Sequence, residues 1–137
     1  MSDARAGLDS IKSGLQSLVV EGKTYFFTEK NTTAPTKKTN VFFLPAFDEY
    51  TVSYKYRSIV FDPTWHKEAI TSNGIFKPII VVNGLVLGIW KRTVQKNKVL
   101  IEPTFFDKKD ALPVEVMESA IEGLRAFLGL EVELRSL

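Results

Sequence analysis

Two adjacent carboxylates, one histidine and a spread of cations are the groups in this chain that could do chemistry. Asp48 and Glu49 follow Phe47 in the string LPAFDEY, Leu44–Tyr50. Neighbouring carboxylates in aromatic surroundings can work as acid and base or can hold a cation. They can equally serve the fold, one bonding backbone N–H groups where the chain bends after Pro45 and the other pairing with a residue such as Arg57. That structural role is the expectation for Asp48 and Glu49. His66 is the sole histidine, and a surface or capping position is expected for it. There is no cysteine, which excludes a disulfide scaffold and a thiolate metal site. No metal and no other cofactor is expected.

The net charge is +2, but it is unevenly spread. Residues 1–50 balance to zero. Residues 51–98 hold eight basic groups (Lys55, Arg57, Lys67, Lys77, Lys91, Arg92, Lys96 and Lys98) against two acidic ones, Asp62 and Glu68. Residues 99–137 hold four basic and eight acidic groups. A basic middle can serve a polyanion; it can also be the solvated rim of a sheet balanced by an acidic helix.

The elements that must position these groups centre on Ile75–Phe106. Asn83-Gly84 lies between two apolar, β-branched runs, the strongest short hairpin signal, because a type I′ turn needs φ > 0 at both central residues. That turn sets Val82 opposite Leu85 and Ile80 opposite Leu87. A second reversal at Lys96-Asn97 sets Val94 opposite Val99 and Lys91 opposite Glu102, a favourable cross-strand charge pair. From Leu85 to Ile89 both faces are apolar, so this stretch is expected to be covered on both sides; from Lys91 to Gln95 one face turns polar and should emerge into solvent.

Around this meander the chain reads as an α+β fold with an antiparallel, barrel-like sheet. The spacing of Ala4, Leu8, Ile11 and Leu15 predicts a helix over Asp3–Gln16. Leu18–Val20 and Thr24–Phe27 flank Glu21-Gly22-Lys23 as a hairpin. Helix then hairpin is the back half of a winged helix, or an ordinary helix-hairpin packed on a barrel. Residues 29–40 have no apolar period and read as a linker, leaving units over 1–28 and 41–137. Val41–Leu44 reads as a strand, and the alternation in Thr51–Tyr56 as another. Asp62-Pro63 opens a short helix, Thr64–Ile70, with Asp62 as N-cap. Pro113–Leu128 reads as the C-terminal helix with Val116, Ala120, Leu124 and Phe127 inside, stopped by Gly129. Leu130, Val132 and Leu134 alternate as a last strand. At 137 residues, 45% hydrophobic and 25% charged, the chain is long enough for its own core. No run matches a membrane span or a signal peptide, and a cytoplasmic location is expected.

DARAGL (Asp3–Leu8), LPAFDEY, Tyr54-Lys55 with Arg57-Ser58, Asp62-Pro63, NGIFKP (Asn73–Pro78), Asn83-Gly84 and Gly88 with Trp90-Lys91-Arg92 occur in that order. Together they resemble the C-terminal part of the winged-helix DNA-binding proteins related to AlkZ, bacterial DNA glycosylases acting on alkylated and crosslinked bases. The resemblance implies that residues 1–28 are the last helix and wing of a winged helix, following further chain N-terminal to residue 3, and that Val41 onward is a small β-barrel. It implies that Asp48, Glu49, Tyr50 and Trp90 belong to the family's motif. Ser53 and Tyr56 stand where the family commonly has Gly and Asp. The family's catalytic pair, Gln-x-Gln or Gln-x-Asp, has no counterpart, since Gln16 and Gln95 are the chain's only glutamines. No catalytic residue is therefore carried over. The expectation is a noncatalytic part that touches DNA weakly and nonspecifically through Lys55, Arg57, Lys91, Arg92, Lys96 and Lys98; the alternative is a structural or protein-interaction module, or a transcription-regulator-like DNA-binding protein, without base-excision activity.

Overall fold

The computed structural model describes residues 2–28 and 38–135, in two compact units, Met1–Lys37 and Lys38–Leu137. Of the linker expected over 29–40, residues 29–37 lie outside the described residues. Among the described residues no helix is long and apolar enough to cross a membrane.

In the first unit, helix α1 (Ser2–Ile11) gives way to a 3₁₀ turn, Lys12–Gly14. The expected helix thus ends early, where Gly14 removes side-chain support and Leu15 N–H donates back to the Lys12 carbonyl at 3.1 Å. Strands β1 (Gln16–Val20) and β2 (Lys23–Phe27) then pair antiparallel, with Val20 opposite Lys23. Glu21 and Gly22 take the turn at φ 49° and 73°. None of this unit's described residues is buried, and Ile11, Leu18 and Val19 are each more than half exposed.

The second unit is α+β: a curled half-barrel sheet with a helix near its C-terminus. Its sheet order is β3 (Val41–Leu44), β4 (Ile79–Val82), β5 (Leu85–Val94), β6 (Lys98–Phe105), β7 (Glu131–Leu134). The first four strands are antiparallel neighbours, but β7 runs parallel to β6. The expectation of a wholly antiparallel sheet is corrected there. The physical reason is the crossover through helix α4 (Val114–Leu128), which carries the chain back to re-enter the sheet in the direction of β6.

Asn83 at φ 49° and Gly84 at φ 86° make the predicted two-residue reversal, with Val82 opposite Leu85. Two residues further, past the Val81–Val86 pair, the expected register fails. A bulge between Ile80 and Val81 pairs Ile80 with Gly88, so Leu87 is the extra residue. Gly88 tolerates this because β6 comes close: a Cβ there would lie 2.5 Å from the Thr104 carbonyl oxygen. The second reversal holds as expected, with Val94 opposite Val99 and Lys91 opposite Glu102. The expected Lys91–Glu102 ion pair does not form. Glu102 accepts instead from the Arg135 guanidinium at 3.1 Å, just past β7.

Both faces of the sheet's middle are covered. Ile80, Val82, Trp90, Val99, Ile101 and Val132 pack with Met117 and Ile121 of α4. Ile79, Val81 and Val86 pack on the opposite face with Phe61 and Ala69. In α4 the buried row is Met117 and Ile121, flanked by Val116, Ala120, Leu124 and Leu128. Phe127, expected inside, is 85% exposed, because the row centred on Met117 and Ile121 turns position 127 outward. Gly129 stops the helix at φ 62°.

Residues 45–78 cover the second face. The strand expected over Thr51–Tyr56 is absent: α2 (Glu49–Val52) occupies its start. Asp48 wins that competition, since its carboxylate accepts from Tyr50 N–H at 2.9 Å while its carbonyl takes the N–H of Thr51 and Val52. The short helix expected after Asp62-Pro63 is present, as a 3₁₀ turn over Pro63–Trp65 that leads into α3 (His66–Ala69). Asp62 caps it, accepting from Thr64 N–H at 2.8 Å.

Candidate nucleic-acid interface

The cations proposed to meet a polyanion fall into two groups in the second unit, with different local origins. The first sits where β5 leaves the covered sheet. Lys91, Arg92, Thr93 and Val94 are all exposed, as are Gln95, Lys96 and Asn97 in the reversal. Strand alternation puts Arg92 on the Trp90 face and Lys91 on the other, so the projecting end carries positive charge on both sides. Among the described residues Lys91, Arg92 and Lys96 make no ion pair. Lys98 differs. It is half-buried, and its ammonium donates to both carboxylate oxygens of Glu133, at 2.9 and 3.1 Å.

The second group lies in the irregular stretch between α2 and the Asp62 cap. Lys55 is exposed, its ammonium 5.8 Å from the Tyr56 ring centroid. Arg57 is half-buried and held in place: its Nε–H donates to the Thr51 carbonyl, and its guanidinium carbon lies 5.4 Å from the Phe76 ring centroid. Backbone N–H groups of Val60 and Phe61 donate to the Arg57 carbonyl at 2.9 and 2.8 Å, closing the turn that presents it. Lys55, Tyr56, Arg57, Phe61 and His66 line an open pocket of about 230 Å³. His66 stacks on Phe61, ring centroids 6.0 Å apart and 23° from parallel. Arg57 and His66 are nine residues apart in an aperiodic segment, so no sequence pattern signalled that they share a pocket.

The motif residues are spent on local structure. Trp90 is buried; its indole N–H donates to the Leu44 carbonyl at 2.8 Å, and its ring meets Phe43 edge-on at 5.8 Å. Tyr50 O–H donates to the Gly84 carbonyl at 2.7 Å, tying α2 to the β4–β5 turn. Burial pushes the Tyr50 phenol above its ordinary pKa. Glu49 is exposed in the first turn of α2. Ahead of them Phe47 takes φ 59°, unusual for a bulky residue, with its ring 57% exposed and 5.9 Å from that of Phe76. Two other carboxyls are held below their usual range by backbone N–H donors: Asp62 by Thr64 and Asp107 by Lys109. Both are caps outside the candidate interface, Asp62 exposed and Asp107 half-buried. Among the described residues no three His, Asp or Glu side chains are grouped to hold a metal ion.

The family model described as DNA glycosylase AlkZ-like matches residues 1–127. The solved structure of the Streptomyces sahachiroi DNA glycosylase AlkZ is similar at a TM-score of 0.70 and 22% sequence identity. That match covers 98% of this chain and 37% of the solved one. At such identity the likeness is one of fold, and the chain spans little more than a third of that protein's length. No curated protein matches the chain.

Proposed function

The chain belongs to the AlkZ-like DNA glycosylase family, and from that premise we propose that it is a noncatalytic, C-terminal DNA-contacting part of a base-excision repair protein. In this reading residues 1–28 are the last helix and wing of a winged helix, residues 41–137 are the half-barrel that follows, and further chain precedes residue 3. The substrates implied by the family are alkylated or crosslinked bases. The chain's own contribution is to hold DNA by its phosphates, which sets register without reading sequence. The observation that carries this is the projecting β5–β6 end, where Lys91, Arg92 and Lys96 stand exposed with no acidic partner among the described residues. Lys98 contributes less, because Glu133 already holds it.

Titration of a labelled duplex at low and moderate salt tests the proposal. Weak binding that falls steeply with salt is expected, since each neutralised phosphate adds about −0.9 to the slope of log K against log salt. Lys91→Glu with Lys96→Glu should weaken it further without lowering the melting temperature. Absence of binding at low salt overturns the proposal. Base excision is not expected from this chain, and formation of abasic sites on alkylated DNA by it would overturn the noncatalytic assignment. A second reading, a protein-interaction module, is favoured by Phe127 of α4, a large apolar side chain left 85% exposed. It predicts that Phe127→Ala abolishes capture of a protein partner while DNA binding stays absent or salt-insensitive.

A further inference from the structure

The pocket around Arg57 has features that the grip on duplex phosphates does not use. Its volume of about 230 Å³ falls below the roughly 300 Å³ at which pockets begin to enclose drug-sized ligands. It suits one unit of a larger molecule. Arg57 is preorganised by the Thr51 carbonyl and the face of Phe76, and its two terminal nitrogens make no bond among the described residues. A guanidinium fixed in this way meets a phosphate with two parallel N–H donors. Lys55 adds a second cation at the same pocket, while Tyr56, 56% exposed, and His66, backed by the buried Phe61 ring, supply flat surfaces. Phe47 and Phe76 extend the aromatic surface from the other face of the Arg57 contact. Cations interleaved with exposed rings are what a single strand needs, because its bases are free to stack on side chains and a paired base is not.

We propose that this pocket takes one nucleotide of unpaired DNA, its phosphate on Arg57 and Lys55 and its base on Tyr56 and His66. This rests on the DNA-contacting reading above and adds a second, strand-selective site to it. The duplex-gripping β5–β6 end and the Arg57 pocket then have separate ligands: phosphates of paired DNA for the first, an unstacked nucleotide for the second.

The test uses the intact chain and three fluorescent probes: an oligothymidylate of about 16 nucleotides, near the upper site size of a single-strand-binding barrel, an abasic oligomer of the same length, and a duplex. Tyr56→Ala should weaken oligothymidylate binding about 5- to 10-fold, the effect of losing one stacked base, and leave duplex binding unchanged. The abasic oligomer should bind the native chain about as weakly as oligothymidylate binds the Tyr56→Ala chain. Lys55→Gln should lower the salt slope on the single strand by about 0.7. Arg57→Ala also severs the bond to Thr51, so the exposed Tyr56 and Lys55 carry the test. Duplex binding that depends on Lys91 and Lys96, together with single-strand affinity indifferent to Tyr56 and Lys55, overturns the pocket and leaves the proposed function standing. An abasic oligomer bound as tightly as oligothymidylate overturns the pocket in the same way. No binding of any probe at low salt overturns both.

Discussion

Glu21-Gly22 and Asn83-Gly84 reverse the chain by the same backbone route, with φ of 49° and 73° in the first and 49° and 86° in the second. Both join strands rich in β-branched and aromatic residues, and both give a two-residue antiparallel hairpin. Their burial is opposite. All four residues of β4 are buried, whereas no residue of β1 or β2 is. The turn is a local matter, settled by which residues accept positive φ. Burial is settled by what covers the strands: α4 on one face of β4 and residues 45–78 on the other. Two hairpins of equal local quality therefore differ in how much stability rests on each side chain.

The largest contrast should come from truncating one apolar residue in each. Ile80 has no exposed surface, so Ile80→Ala should cost about 2–5 kcal/mol through lost burial and the cavity left behind. Leu18 is 57% exposed, and Leu18→Ala should cost less than about 0.5 kcal/mol. Urea denaturation followed by circular dichroism measures both. Equal costs would break the comparison, because they would mean that β1 is covered as fully as β4.

A smaller effect sharpens it from the backbone side. Gly88→Ala should destabilise by about 1–3 kcal/mol, the usual cost of overpacking, because the new Cβ would meet the Thr104 carbonyl at 2.5 Å. At Gly7 and Gly14 in the first unit a Cβ meets nothing within 4 Å, so alanine there should be neutral or stabilising. Smaller again is Asp48→Ala, which removes the cap of α2 and should cost about 1 kcal/mol. It would show as a lower melting temperature, and an unchanged one would mean that the Tyr50 N–H bond contributes nothing to folding.

What was legible in the sequence follows the same division between local and tertiary causes. Asn83-Gly84, the Val94–Val99 pairing, the Asp62 cap and the Gly129 stop are short-range rules, and each appears as read. The bulge at Leu87 was not legible, because an extra residue leaves the apolar pattern intact and only Gly88 hints at close approach. Thr51–Tyr56 alternates like a strand, yet a single carboxylate at Asp48 turns its start into a helix. In α4 two apolar rows run side by side, and nothing local says that Met117 and Ile121, not Phe127, face the sheet. The parallel β7 depends on where the crossover helix lands. For the candidate interface, the cations were visible as a charge excess over 51–98. Which of them have internal partners was not: Glu133 takes up the Lys98 ammonium, while Thr51 and Phe76 hold Arg57 in place and leave its terminal nitrogens open, partners that only the folded chain brings near.

A smaller effect than the loss of the Asp48 cap concerns the tie between α2 and the covered turn. Tyr50 O–H donates to the Gly84 carbonyl at 2.7 Å, so Tyr50→Phe should cost about 0.5 kcal/mol, the low end for a hydrogen bond because this one is open to water. The pH dependence gives the sharper test. Burial raises the Tyr50 pKa, which means that the folded state favours the neutral phenol that can donate. A raised folded-state pKa gives stability that is fully present below the unfolded value of about 10 and is lost as pH rises through the folded one. The native chain should therefore lose stability above pH of about 10 by more than the Tyr50→Phe chain does, and the two curves should run parallel at neutral pH. If they also ran parallel into the alkaline range, the phenol would titrate alike in folded and unfolded chains, and the bond to Gly84 would not be what holds the turn of the covered hairpin to α2.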